Sequence, residues 1–316
     1  MDACIYFQVL TNKMMCKLAE IRPLKRCFRR HVKVPVIRVE WRDEVRITVL
    51  VENSTIDTRL KPKHGLSIYI ESCKHKVLFD VGPDNTCLDN ARILGIDLSK
   101  IDTVVLSHGH RDHGGALSCF LRANNQAKIY IHRQALEPHY IKVLFAKIPI
   151  GLDKGLAINN RVIMTDDLLQ LDDELLLFSD VPDKFDTKSN RQQFKKTLDG
   201  YVQDDFAHEQ NLVVTTEGKT MLFSGCSHKG IANILSAAKK RHPTINAVFG
   251  GFHLHNPVTK TNEPIEVVQQ LINELSIHDT VFYTGHCTGN IAVERMRRSM
   301  GERVQSLSTG TIIEIH

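Results

Sequence analysis

The segment Ser107-His108-Gly109-His110-Arg111-Asp112-His113-Gly114-Gly115 constrains this chain more than any other part of it. It follows the β-branched run Ile101-Asp102-Thr103-Val104-Val105-Leu106, which reads as a strand. In extended backbone, side chains two residues apart point to the same side, so His108 and His110 can share one metal ion. Asp112 and His113 then turn toward a second position. Gly109, Gly114 and Gly115 permit the tight backbone that four converging ligands require. The segment therefore predicts the heart of a two-metal active site.

The rest of the composition sets bounds. A chain of 316 residues with 42% hydrophobic content can bury an ordinary core. Its formal charge of +5 arises wholly before residue 45, where ten Lys and Arg face five Asp and Glu. The remaining chain is neutral on balance and lacks the basic footprint of nucleic-acid binding, so no nucleic-acid partner is expected. No apolar run approaches a membrane span, and charges interrupt the N-terminus where a signal peptide needs an apolar core. The eight cysteines form no C-x-x-C pair, which fits a reducing cytoplasm.

Domain patterning begins at Val45-Arg46-Ile47-Thr48-Val49-Leu50-Val51. Trp41 to Val45 admits a coding sequence that would place a ribosome-binding element just ahead of a GTG start. Residues 1–44 are accordingly expected to be an N-terminal extension, non-native or disordered, with a short ordered arm as the alternative and an intact mass from the native cell as the check. Beyond it, Leu66–Ile70 and Lys76–Asp80 predict a hairpin, followed by a helix over 88–94. Residues 132–206 are polar and weakly periodic and are expected to cover the site as loops and short helices. A strand pair over 211–216 and 220–224 follows, then helix 230–240, strand 247–249, helix 265–275, strand 280–283, helix 291–300 and strand 311–315. This order suggests sheets covered by helices.

Other segments carry a resemblance. His64-Gly65-Leu66-Ser67, Leu78-Phe79-Asp80-Val81-Gly82, Ser224-Gly225-Cys226-Ser227-His228, Gly250-Gly251-Phe252-His253-Leu254 and Gly285-His286-Cys287-Thr288-Gly289 accompany the histidine segment. Together they resemble the metallo-β-lactamase superfamily, in its dihydropterin-ribofuranosylaminobenzene-phosphate synthase-like branch. The resemblance runs from about residue 45 to the C-terminus. It implies an α/β fold, an αββα sandwich of two mixed sheets flanked by helices, with metals at the sheet edge.

It also implies roles. His108 and His110 would hold the first metal, and Asp112, His113 and His286 the second. Cys226 stands where most of the superfamily has a bridging aspartate. The third ligand of the first metal is either His228, which belongs to the branch's own motif and is preferred, or His208, which precedes the strand pair. Asp80 is expected to hold the ligand loop by hydrogen bonds. His253 is expected to contact substrate, with backbone amides at the start of the Gly230 helix helping to receive an anionic group. His64, His31, His132, His139, His242 and His278 are expected at the surface.

Two divalent metals, zinc first with iron or manganese as alternatives, would activate a hydroxide that Asp112 orients. The expected function is hydrolysis of an ester, lactone or phosphate bond in a small anionic or phosphorylated substrate. A transferase of the named branch and a non-catalytic metal-binding sensor are the alternatives, because fold and metal site do not fix the reaction.

Overall fold

Period-two alternation sorts the strand side chains into layers. In the strand Lys76–Phe79, Val77 and Phe79 join one buried cluster while Leu78 joins another. In Lys219–Phe223, Met221 and Phe223 share the first cluster and Leu222 faces the opposite way. Leu175–Phe178 repeats the pattern, with Leu175 and Leu177 inward and Leu176 and Phe178 outward. Strands that are apolar on both faces must be covered on both faces.

The computed structural model describes residues 45–182, 187–216 and 218–315. The extension expected over residues 1–44, His31 included, lies outside them. One seven-stranded sheet runs in the spatial order Ile312–Ile315, Val45–Val51, Ser67–Glu71, Lys76–Phe79, Thr103–Val105, Lys128–His132, Val162–Thr165. The second runs Val304–Ser306, Val281–Thr284, Ala247–Gly250, Lys219–Phe223, Asn211–Thr216, Leu175–Phe178, Leu168–Gln170. Their inner faces meet in a core where Phe79 and Phe223 rings lie 5.9 Å apart and Phe223 stacks on Phe249 at 4.8 Å. Each such buried side chain contributes roughly 1.5–3 kcal/mol.

Helices Thr86–Ile93 and Leu117–Ala123 cover the first sheet through Cys87, Ala91, Leu117 and Phe120. Helices Ile231–Lys239, Ile265–Ser276 and Asn290–Met300 cover the second through residues such as Ile234, Leu271 and Met296. The layers are therefore αββα. No helix among the described residues is long and apolar enough to cross a membrane.

The parallel strands position the site. Lys76–Phe79 and Thr103–Val105 are parallel neighbours, as are Lys219–Phe223, Ala247–Gly250 and Val281–Thr284. Parallel neighbours end on the same edge, so Asp80, the His108 loop, Cys226, His253 and His286 all leave strand ends that face one another.

Residues 132–206 depart from expectation. They contain a four-stranded antiparallel sheet in the order Gly200–Gln203, Gln193–Thr197, His139–Val143, Ala146–Pro149. Alternation becomes visible only when one face is buried along its length. Here burial is confined to His139, Ile141 and Gln193, while all of Ala146–Pro149 is exposed, so the strands read as polar loop.

His132 and His139 are buried rather than at the surface. Burial lowers the His132 imidazole to about 4. The unfolded chain binds a proton there below pH 6.5 and the folded chain does not, so stability falls as pH drops from about 6.5 toward 4. Allowing for solvent screening, the loss from this one group is about 2 kcal/mol. Urea unfolding from pH 7 to 4 should show a shallower acid limb in His132→Gln than in wild type; parallel limbs would refute the assignment.

Candidate metal centre

Asp80 is fully buried and adopts a left-handed φ of 58°. One carboxylate oxygen accepts from the Ser107 backbone N–H at 2.7 Å, and the other accepts from Ser107 Oγ at 2.7 Å and His113 Nδ1 at 2.6 Å. Because Ser107 Oγ gives its proton to Asp80, it can only accept from His108 Nδ1, 2.8 Å away. Asp80 thereby fixes the Nδ1–H tautomer of both His108 and His113. Each Nε2 is left with a lone pair facing inward.

Asn53 and Glu52 do the same for His286. Glu52 Oε1 accepts from the His286 backbone N–H at 2.7 Å, and Asn53 Oδ1 lies 3.2 Å from His286 Nδ1. His286 Nε2 then faces His113 Nε2 at 3.2 Å, and Cys226 Sγ lies 3.2 Å from the same His113 nitrogen. Asp112 adds a carboxylate oxygen 3.4 Å from His286 Nε2. Two ring nitrogens whose protons are committed elsewhere repel one another unless a cation or proton lies between them. Although burial opposes it, Asp80 and Asp112 raise His113 to about 9, so in the metal-free chain a proton occupies that place. Burial would also raise Asp112, yet the His113 charge and hydrogen bonds from His286 and His64 hold it well below the ordinary carboxylate range.

His228 completes a second group with His108 and Cys226, their ligand atoms all within 4.8 Å of one another. Its backbone N–H donates to Glu209 Oε1 at 2.7 Å and its Nδ1 donates to Asn190 Oδ1 at 3.0 Å. Its ring stacks on Phe206 at 4.4 Å. The Nε2 atoms of His108, His110 and His228 are buried without any hydrogen-bond partner. Burial of such polar atoms is costly unless something pairs with them, and three converging imidazole lone pairs suit a divalent cation. The His110 ring stands 4.4 Å from His108 and 5.1 Å from His228.

His208 is held differently. Its Nδ1 accepts from the Gly109 backbone N–H at 3.0 Å, which puts its proton on Nε2; that atom lies 3.5 Å from Asp204 Oδ1 and, like the Nε2 of His108, His110 and His228, is buried without a hydrogen-bond partner. Asp204 Oδ2 also lies 2.7 Å from His139 Nδ1, and the Gln134 carbonyl oxygen lies 3.2 Å from His139 Nε2. His110, His139, Asp204 and His208 do lie within 4.8 Å of one another. The proton placement turns His208 toward supporting the loop between His108 and His110. Gly109 is needed there, since a Cβ would come within 2.2 Å of the Ala135 carbonyl oxygen.

His253, at a left-handed φ of 50°, lines the same cavity of about 730 Å³ as His110, Asp112, Cys226 and His286. Gln193 Nε2 donates to its Nε2 at 3.3 Å, while its Nδ1 is buried without a partner. The backbone N–H groups of residues 228–230, just ahead of the helix Ile231–Lys239, are committed within the protein. Glu209 accepts from the N–H groups of His228 and Lys229, and Gly230 N donates to the Ser227 carbonyl. His64 is exposed, as expected, and still reaches the site, with Nε2 3.4 Å from Asp112 Oδ2 and its ring 4.8 Å from His286. His242 and His278 are half-exposed and follow the C-terminal ends of helices Ile231–Lys239 and Ile265–Ser276.

Sequence reasoning missed Asn53, Glu52, Asn190, Glu209, His139 and Asp204. These residues come from segments without a motif and act through hydrogen bonds to distant parts of the chain, so spacing carries no signal for them.

An αββα sandwich with histidine, cysteine and aspartate clusters at the strand ends, able to hold a metal ion, defines a metallo-β-lactamase-type centre. The metallo-beta-lactamase superfamily model matches residues 60–249, and the chain belongs to that superfamily. Within it, the chain is 28% identical over 295 residues to the 7,8-dihydropterin-6-methyl-4-(beta-D-ribofuranosyl)-aminobenzene-5'-phosphate synthase of Methanocaldococcus jannaschii, covering 86% of this chain and 97% of that one. A crystal structure described as a metal-dependent hydrolase of the beta-lactamase superfamily superposes with a TM-score of 0.72 at 27% identity, over 86% of this chain and 99% of that one. Zinc-bound PqqB from Methylobacterium extorquens shares the fold, with a TM-score of 0.53 at 14% identity over 85% of this chain and 100% of that one.

Proposed function

We propose that this protein is a two-metal hydrolase acting on an ester, lactone or phosphate bond of a small anionic substrate, with zinc as the expected ion and iron or manganese as alternatives. The observation that carries the reading is the convergence of imidazole Nε2 atoms, those of His108, His110 and His228 buried without a partner and those of His113 and His286 facing at 3.2 Å, with His108, His113, His228 and His286 each held from behind through Nδ1. His108, His110 and His228 would hold one ion, and Asp112, His113 and His286 the other, with Cys226 within reach of both groups. His208 is a positioning residue in this assignment. A bound pair of this kind supplies Lewis acidity and lowers the pKa of water toward neutrality.

The chain's own residues do the rest. Asp112, a quarter exposed to the cavity and held ionised, is placed to orient an attacking water. His253 offers its unpartnered Nδ1–H to an anionic substrate group, and Gln193 Oε1, also buried without a partner, offers an acceptor. Elemental analysis after reconstitution should find two divalent ions per chain, and a panel of phosphodiesters, lactones and pterin phosphates should reveal an activity that chelation removes. Absence of bound metal after reconstitution would defeat the proposal, and so would an activity indifferent to His110→Ala.

The synthase relative favours a second reading, a transferase joining a pterin to a ribofuranosyl aminobenzene phosphate, because the similarity spans nearly the whole of that protein. Release of pyrophosphate with the pterin pair, and none of the hydrolytic activities, would select it. A metal-binding sensor would bind the ions and turn over neither class.

A further inference from the structure

Cys226 and Cys287 leave the ends of two strands, Lys219–Phe223 and Val281–Thr284, that are separated in the sheet by Ala247–Gly250. Neighbouring strands lie about 4.8 Å apart, so residues two strands away ordinarily stay out of reach. Here the intervening strand continues into Gly251. A Cβ at that position would come within 2.4 Å of Cys287 Sγ, so the missing side chain is what lets the thiol pass over the strand end. The two sulfurs lie within 4.8 Å of each other, and Cys287 Sγ donates to the Cys226 carbonyl at 3.6 Å. Both cysteines are buried among protein atoms yet line the 730 Å³ cavity, which gives a small oxidant a route to them.

We propose that Cys226 and Cys287 form a redox-modification site, closing to a disulfide inside the cavity when a hydroperoxide reaches them. One thiol attacks the peroxide O–O bond, releasing water and leaving a sulfenic acid. The second thiol then displaces the sulfenic oxygen as water and forms the S–S bond. Two thiols are oxidised, one hydrogen peroxide is reduced, and two waters leave. Closing the gap to the ~2.05 Å of a disulfide requires side-chain rotation and a small shift of the two strand-end loops. Such a bond takes the Cys226 thiolate away from any metal. This consequence rests on the ligand assignment above, whereas the disulfide itself rests on the geometry of the two sulfurs and Gly251.

The test uses the full chain, metal-free and zinc-loaded, titrated with hydrogen peroxide and digested without reduction for mass spectrometry, with zinc release followed by a chromophoric chelator. Metal-free protein should yield a Cys226–Cys287 linked peptide lacking two hydrogens, reversed by dithiothreitol and absent from Cys287→Ser. Zinc-loaded protein should form the link more slowly and release zinc in step with it. Recovery of Cys226 and Cys287 as unlinked thiols or sulfonic acids, under conditions that oxidise the exposed Cys73, would overturn the proposal. A link that forms equally fast with zinc present, and without zinc release, would leave the redox site standing and remove Cys226 from the ligand set. Zinc loss in Cys226→Ser with no link in wild type would do the reverse.

Discussion

Asp80→Asn is expected to weaken metal binding 10- to 100-fold and to destabilise the metal-free protein by about 3–5 kcal/mol. Asparagine preserves the size of the side chain and tolerates the left-handed φ of 58° at this position, so backbone strain is not the cause. What changes is the acceptor that fixes Ser107 Oγ, and through it His108, together with His113 directly. An amide NH₂ in place of the second carboxylate oxygen sets donor against donor in a fully buried cluster. The protonated His113 of the metal-free chain also loses its charge partner. Competition with a chromophoric chelator measures the affinity and urea unfolding the stability. A variant with wild-type affinity would show that Asp80 does not control the tautomers of His108 and His113. Asp80→Ala should be worse, since it adds the cost of a non-glycine, non-asparagine residue in left-handed backbone.

The second large effect separates His228 from His208. His228→Ala should reduce the bound metal by one equivalent and lower turnover by at least ~10²-fold, in keeping with the several kcal/mol that a metal supplies to a developing charge. His208→Asn should retain both equivalents. The asparagine Oδ1 can stand where Nδ1 now accepts from the Gly109 N–H, so the loop between His108 and His110 keeps its support. His208→Ala, which removes that acceptor, should bind both metals more weakly without altering their number. Loss of one equivalent in His208→Asn, with none lost in His228→Ala, would exchange the two assignments. Metal counting by elemental analysis, done alongside turnover, distinguishes a missing ligand from a loosened one.

Much of the fold was legible because its signals are local. The strand Val45–Val51 and the helices over 231–239, 265–276 and 290–300 fall within a residue or two of their sequence expectations, since each carries enough apolar periodicity to declare its type. The four-stranded sheet over 139–203 was not legible. It buries only three or so side chains, too few for alternation to rise above a lysine-rich surface.

The site divides in the same way. His108, His110, Asp112 and His113 lie within six residues, and extended backbone alone gives two of them a common direction, so the sequence by itself determined that a metal-type cluster would form here. It could also nominate Cys226, His228, His253 and His286 through their glycine-flanked motifs. Only the tertiary structure bears on the choice between His208 and His228, because that choice depends on which ring nitrogen holds the proton. The partners concerned are Gly109, 99 residues from His208, and Asn190, 38 residues from His228. A hydrogen bond between distant segments leaves no spacing to read. The same holds for Cys226 and Cys287, 61 residues apart, which approach each other over Gly251, just past the end of the strand between them.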